Sequence, residues 1–95
     1  MVFLDHTLIG LIGSRGKMTT PAQIRAARAL LGLSQPEAAH IAGVSVSTLK
    51  RAEGTIQIGA SVEAVAAIRA ALEAAGVIFI EKNGEGPGVR LKKNG

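Results

Sequence analysis

A mainly α fold, a four-helix bundle with a C-terminal β-hairpin, is what the sequence predicts, and three observations predict it. Four hydroxyl residues, Thr20, Ser34, Ser45 and Ser61, each stand just before a run whose apolar residues recur at helical spacing. Glycines follow those runs, at Gly32, Gly43, Gly54 and Gly76. After Gly76 the period changes: Val77-Ile78-Phe79-Ile80-Glu81 is β-branched and aromatic, and Val89-Arg90-Leu91-Lys92 alternates. A hydroxyl satisfies open amides at a helix start and glycine takes the left-handed conformation that ends a helix, so both ends of each element are marked. The chain therefore divides into an N-terminal arm, residues 1–18, a helical domain, 19–76, and a hairpin, 77–95.

The arm is the least legible part. Leu4, Leu8, Ile9, Leu11 and Ile12 form a short helical stripe, while Val2 to Leu4 and Leu8 to Ile12 read equally as strands. Gly10, Gly13 and Gly16 argue against one long helix. A docking arm, a dimer element and an extension set by the choice of start codon all fit. Asp5, His6 and the lack of a basic start make it a poor signal peptide.

The first helix starts at Thr20-Pro21-Ala22-Gln23, with Thr at the cap, Pro at the first helical position and Gln three residues on. It runs to about Leu31, with Ile24, Ala27, Leu30 and Leu31 inward. Ser34 and Glu37 form a second capping box, so the second helix begins at Gln35 and turns Ala38, Ala39, Ile41 and Ala42 inward. Only Gly43 and its neighbours separate it from a third helix, which Ser45 caps and which runs from Val46 to Ala52 before Gly54 stops it. Two helices joined so closely cross steeply, and the small inner face of the second permits the approach. Thr55 to Ala60 is a connector in which Ile56 and Ile58 are expected to cover the bottom of the bundle. Ser61 caps a fourth helix, Val62 to Ala75, whose Val65, Ile68, Leu72 and Ala75 close the core. Asn83 to Gly88 is turn material between the strands. A lone two-stranded hairpin is marginal in water, so this one is expected to lie on the bundle or on a second copy.

Composition narrows the functional classes. Hydrophobic residues make up 47% of the 95, and two Phe are the only aromatics, so the core is small and aliphatic. A chain of this length buries only about 60–65% of its unfolded surface, which leaves stability modest without a partner subunit. With no Cys there is no disulfide or thiolate metal site, and a reducing cytoplasm is the expected compartment. No apolar run approaches the roughly 20 residues that span a bilayer. Paired carboxylates, a nucleophile with its base and a metal-ligand set are all missing, so neither an enzyme nor a cofactor is expected. His40 reads as a surface residue, and Gly84, Gly86 and Gly88 as turn glycines, since no helix with a Lys follows them. The net charge of +4 favours an anionic partner.

The third helix carries the functional reading. At about 100° per residue, Leu49 and Ala52 fall on one side and Ser47, Lys50 and Arg51 on the other. A face with hydroxyls and cations and no carboxylate suits the DNA major groove, where Arg bonds guanine bidentately and Ser contacts several bases. Ser47 and Arg51 are the candidate base readers, with Val46 for a thymine methyl and Lys50 for a base or a phosphate. Thr48, at the side of the helix, suits a phosphate. Ser45 caps the helix and is a further candidate contact. Gln35 opens the second helix, whose free amides can hold a phosphate. An ordinary solvated helix face is the alternative for Lys50 and Arg51. The connector adds Thr55, Gln57 and backbone amides, but no cation.

From about Thr20 to Ala75 the segment resembles the helix-turn-helix of Cro and lambdoid repressors, the xenobiotic-response-element (XRE) type of regulator. Ala39 matches the family's tight helix contact, Gly43 its turn, Val44 and Leu49 its core, and Glu53-Gly54 its closing E-x-G. The resemblance implies a lambda-repressor-like bundle and a sequence-specific DNA-binding transcriptional regulator, a repressor in the main reading, that inserts the helix of residues 46–53 into an operator as a homodimer. It also implies that Gln35 both contacts phosphate and braces the third helix, and that Arg28 and Glu53 form a structural ion pair; two independently solvated charges are the other reading. Two rival functions share the fold: a protein-interaction module such as an antiactivator, and the antitoxin of a toxin pair.

Overall fold

Helix α1 spans Pro21–Leu31, α2 Gln35–Ala42, α3 Val46–Ala52 and α4 Val62–Ala74, followed by strands β1 Val77–Ile80 and β2 Gly88–Leu91. The computed structural model describes residues 18–55, 58–82 and 84–93. Within them the fold is mainly helical, with four helices and one two-stranded antiparallel hairpin. The two readings of the arm fall on residues 1–17 and lie outside the described residues, as do Ile56 and Gln57. No helix among the described residues is long and apolar enough to cross a membrane.

Local capping chemistry sets the helix starts. The Thr20 side chain accepts from the Gln23 amide at 3.1 Å while Gln23 Oε1 accepts from the Thr20 amide at 2.9 Å. Ser34 and Glu37 form the same reciprocal pair at 3.2 and 2.8 Å. The Ser34 backbone N–H first, and then its hydroxyl, hold the Glu37 carboxyl below its ordinary value. Ser45 and Ser61 accept from the amides of Thr48 and Ala64. Gly43, at φ 69°, ends α2 in the left-handed region and turns the chain directly into α3.

The core consists of Ile24, Ala27, Ala38, Ala39, Leu49, Ala52, Ile68, Leu72, Val77 and Phe79. Helix α2 packs on both α3 and α4, α3 also touches α4, and α1 lies against α4 and the hairpin. Small alanines on α2 let these backbones approach. Three residues expected inside are not. Leu30 is 43% exposed and Ile41 45% exposed. Each sits roughly 100° off the stripe its helix buries, Ile24-Ala27-Leu31 in α1 and Ala38-Ala39-Ala42 in α2. Ile58 is 71% exposed. The Thr55 amide and hydroxyl both bond the Lys50 carbonyl, so the connector leaves α3 along the surface and Ile58 has no core to enter. Helix α4 ends one residue early, with Ala75 as an exposed C-cap instead of a core residue.

The hairpin pairs Val77 with Leu91, Ile78 with Arg90, Phe79 with Val89 and Ile80 with Gly88. Glu81 and Lys92 lie just beyond the four-residue strands, though the Lys92 amide still donates to Gly76 O at 2.6 Å. Two polar links dock the hairpin on the bundle. Buried Gln23, besides capping α1, donates through Nε2 to Ile80 O at 3.2 Å and Gly88 O at 3.0 Å, bridging both strands at the turn end. Arg69 of α4 donates to Glu73 at 3.1 Å, Glu81 at 2.7 Å and Thr19 Oγ1 at 3.0 Å, and lies 4.7 Å from the Phe79 ring centroid. Burial works against the Arg69 charge, but Glu81 and Glu73 together outweigh it and raise its pKa further above the ordinary value.

Gln23→Glu keeps the acceptor that caps α1 and removes the donor that bridges the strands. It is expected to cost about 1–3 kcal/mol, the range for leaving buried partners unsatisfied. Amide hydrogen exchange should then accelerate in the hairpin while α2 and α3 keep their protection. Equal acceleration everywhere would show that Gln23 is no local clasp.

Candidate nucleic-acid interface

The α3 surface is built by what lies behind it. Leu49 is completely buried and Ala52 nearly so, and both anchor the helix to α2 and α4. With that side fixed, Ser47 and Lys50 fall on exposed positions. Arg51 is half-buried, and its Nε is buried without a hydrogen-bond partner among the described residues. Val46 is half-buried and packs against the core, which leaves only part of its side chain to face a ligand. Thr48 is half-buried, and its Oγ1 accepts from Ser45 Oγ at 2.9 Å. Ser45 Oγ also accepts the Thr48 amide at 3.0 Å, so this exposed hydroxyl is committed first to the cap.

The end of α3 is held by a polar knot around Glu53, which is only 1% exposed. Arg28 of α1 donates through Nε to Glu53 Oε2 at 2.6 Å and through a terminal nitrogen to Oε1 at 3.2 Å. Gln35 of α2 donates to Oε1 at 2.9 Å. Arg28 also reaches Leu33 O at 3.1 Å, and Arg25 donates to the Glu53 backbone carbonyl. The carboxylate thus joins α1 and α2 to the C-terminus of α3, and the Arg28–Glu53 contact is an ion pair, not two solvated charges. Gln35 is half-buried with its amide committed to this brace. Its place at the first position of α2 leaves the helix's free amides beside it.

Gly54 completes the knot. At φ 75° it takes the left-handed region, and a side chain there would also bring a Cβ within 3.3 Å of Pro21 Cβ. Both reasons favour glycine at this point.

Chemically, the site offers hydroxyls, an exposed ammonium and a partly covered guanidinium on a short, rigidly mounted helix. Such a set donates hydrogen bonds and attracts anions. Among the described residues no group of His, Cys, Asp and Glu could hold a metal ion. The residues missed from sequence are Arg25, Gln23 and the Arg69 cluster. Arg25 had a signal, since it lies three residues before Arg28 and so on the same side of α1. Gln23 and Arg69 had none beyond their local partners. Compared with known proteins, the chain matches no family model and no curated protein.

Proposed function

We propose that this chain is a sequence-specific DNA-binding transcriptional regulator, a repressor acting by occupancy, with its helices in the lambda-repressor-like helix-turn-helix arrangement. The observation that carries the reading is the division of α3: Leu49 and Ala52 are buried while Ser47 and Lys50 are exposed, with no carboxylate on the outward side. The Cro and lambdoid-repressor resemblance of residues 20–75 supports it, and the Glu53 knot supplies the rigid mounting that base readout requires. Helix α3 enters the major groove, α2 crosses the backbone with Gln35 and its helix start near a phosphate, and Ser47, Arg51, Val46 and Lys50 meet the bases. Thr48 and Ser45 line the phosphate side.

A single module of this size buries only about 600–1,000 Å² on DNA, so the working form is a homodimer on a two-fold operator. A cysteine-free regulator of this type works in the cytoplasm. Selection of bound sequences from a random duplex pool tests the whole reading, and recovery of a pseudo-palindrome is the expected result. An unenriched pool would reject it. Arg51→Ala should weaken operator binding by about 1–3 kcal/mol and relax one position, whereas Lys50→Ala weakens all sequences alike. Unchanged preference with both variants would dismiss this face as the reader.

One observation favours a protein partner instead. Ile58 and Val62, 71% and 82% exposed, form an aliphatic pair at the exit from α3. Protein docking through them, as in an antiactivator or an antitoxin, would hold at high salt, whereas duplex binding weakens steeply. An antitoxin would in addition co-purify with a second small protein.

A further inference from the structure

We infer that the outward face of the β-hairpin is a second contact with the DNA backbone, a basic flank to the contact made by α3; the inference rests on the DNA-binding reading above.

Strand alternation sorts the charges of the hairpin. Val77 and Phe79 point into the core, and Glu81 continues that side to reach Arg69 at 2.7 Å. Ile78 and Ile80 take the opposite side, Ile78 paired with Arg90 and Ile80 with Gly88. Continuing the same alternation adds Lys82 after β1 and Lys92 after β2. Lys82, Arg90 and Lys92 are all exposed. Every ion pair among the described residues uses Arg28 or Arg69, so these three cations are unpaired there. Lys92 stands at the rim of a groove that Glu73 and Glu81 also line, and both of those carboxylates already bind Arg69. Glu85 belongs to the turn, beyond the face.

The chemistry of the occupant follows. Ile78 and Ile80 are half-buried, so what the face chiefly presents to solvent is cationic. An apolar protein surface gains little there, whereas a polyanion gains counterion release at each cation. Arg90 and Lys92 are two residues apart, about 6.8 Å along an extended strand. That is about two axial steps of one DNA strand.

The face also lies near α3. The first turn of α1 holds the mouth of the hairpin through Gln23 on one side and meets Gly54, at the end of α3, through Pro21 and Arg25 on the other. The two basic regions are therefore separated by about one helix diameter, roughly 10–12 Å, comparable with the width of a major groove.

The test measures duplex affinity against salt for the full chain and for Lys82→Gln/Arg90→Gln/Lys92→Gln, with Lys82→Gln alone as a variant beyond the strand ladder. The probes are the duplex recovered by selection and one of unrelated sequence. The triple variant is expected to keep its far-UV circular dichroism and its base preference. Its log–log salt slope should fall by about 2–3, near 0.9 for each lost contact, and the single variant's by about 1. An unchanged slope in folded variants would overturn the inference and leave the face to an acidic protein partner. The two readings fail separately: a reduced slope with a base preference indifferent to Arg51→Ala would keep the hairpin contact and reject α3 as reader. A chain that binds neither duplex at low salt would sink both.

Discussion

Glu53→Ala is expected to destabilise the fold by about 3–5 kcal/mol, the range for removing one partner of a buried ion pair. The carboxylate is 1% exposed and accepts from both Arg28 and Gln35, so its loss leaves one guanidinium and one amide facing a hole between three helices. Arg28 retains 24% side-chain exposure, which lets water recover part of its solvation and places the effect toward the lower end of the range. Glu53→Gln keeps the shape and should cost less, though it too leaves the cation without its counter-charge. Urea denaturation followed by circular dichroism measures both, and a double-mutant cycle with Arg28→Ala isolates the pair. A cost below about 1 kcal/mol for the alanine variant would place the contact with surface ion pairs and remove the brace from the account of α3. Because the knot orients α3, DNA affinity measured well below the unfolding transition should also fall.

Leu49→Ala should cost about 2–5 kcal/mol, since it empties a site that is 0% exposed and enclosed by α2 and α4. Domains of this kind are stable by only about 5–15 kcal/mol, so the variant stands near the threshold of folding. Leu49→Met fills most of the same volume and should cost less than about 1.5 kcal/mol. Thermal unfolding of the three proteins gives the order directly. If Leu49→Ala were neutral, α3 would not be anchored by this side, and the assignment of its opposite side as the free face would lose its basis. The contrast with Arg51→Ala is informative, because that change, two residues away, is aimed at affinity and not at stability.

The elements were legible because their signals are short-range. Thr20 with Gln23 and Ser34 with Glu37 operate across three residues, and Gly43 acts through its own backbone angle. Arg28 with Glu53 was read through the E-x-G resemblance, and the pair stands in the structure. Periodicity was less reliable at the margins. Leu30 and Ile41 are as apolar as their buried neighbours, and a rotation of roughly 100° decides between core and solvent. Ile58 failed for a different reason, since hydropathy does not reveal where a connector runs.

By itself, the sequence determined the four helix starts, the glycine stops, the change to strand period after Gly76 and the division of α3 into an apolar and a polar side. Only the tertiary structure decided that Gln23 would bridge two strands, one of them 65 residues away, that Arg69 would gather Thr19, Glu73, Glu81 and Phe79, and that Arg51 would be partly covered. The difference is physical. A cap or a glycine turn is satisfied by neighbours a few bonds away in any context, whereas a buried polar group takes whatever partner packing brings beside it.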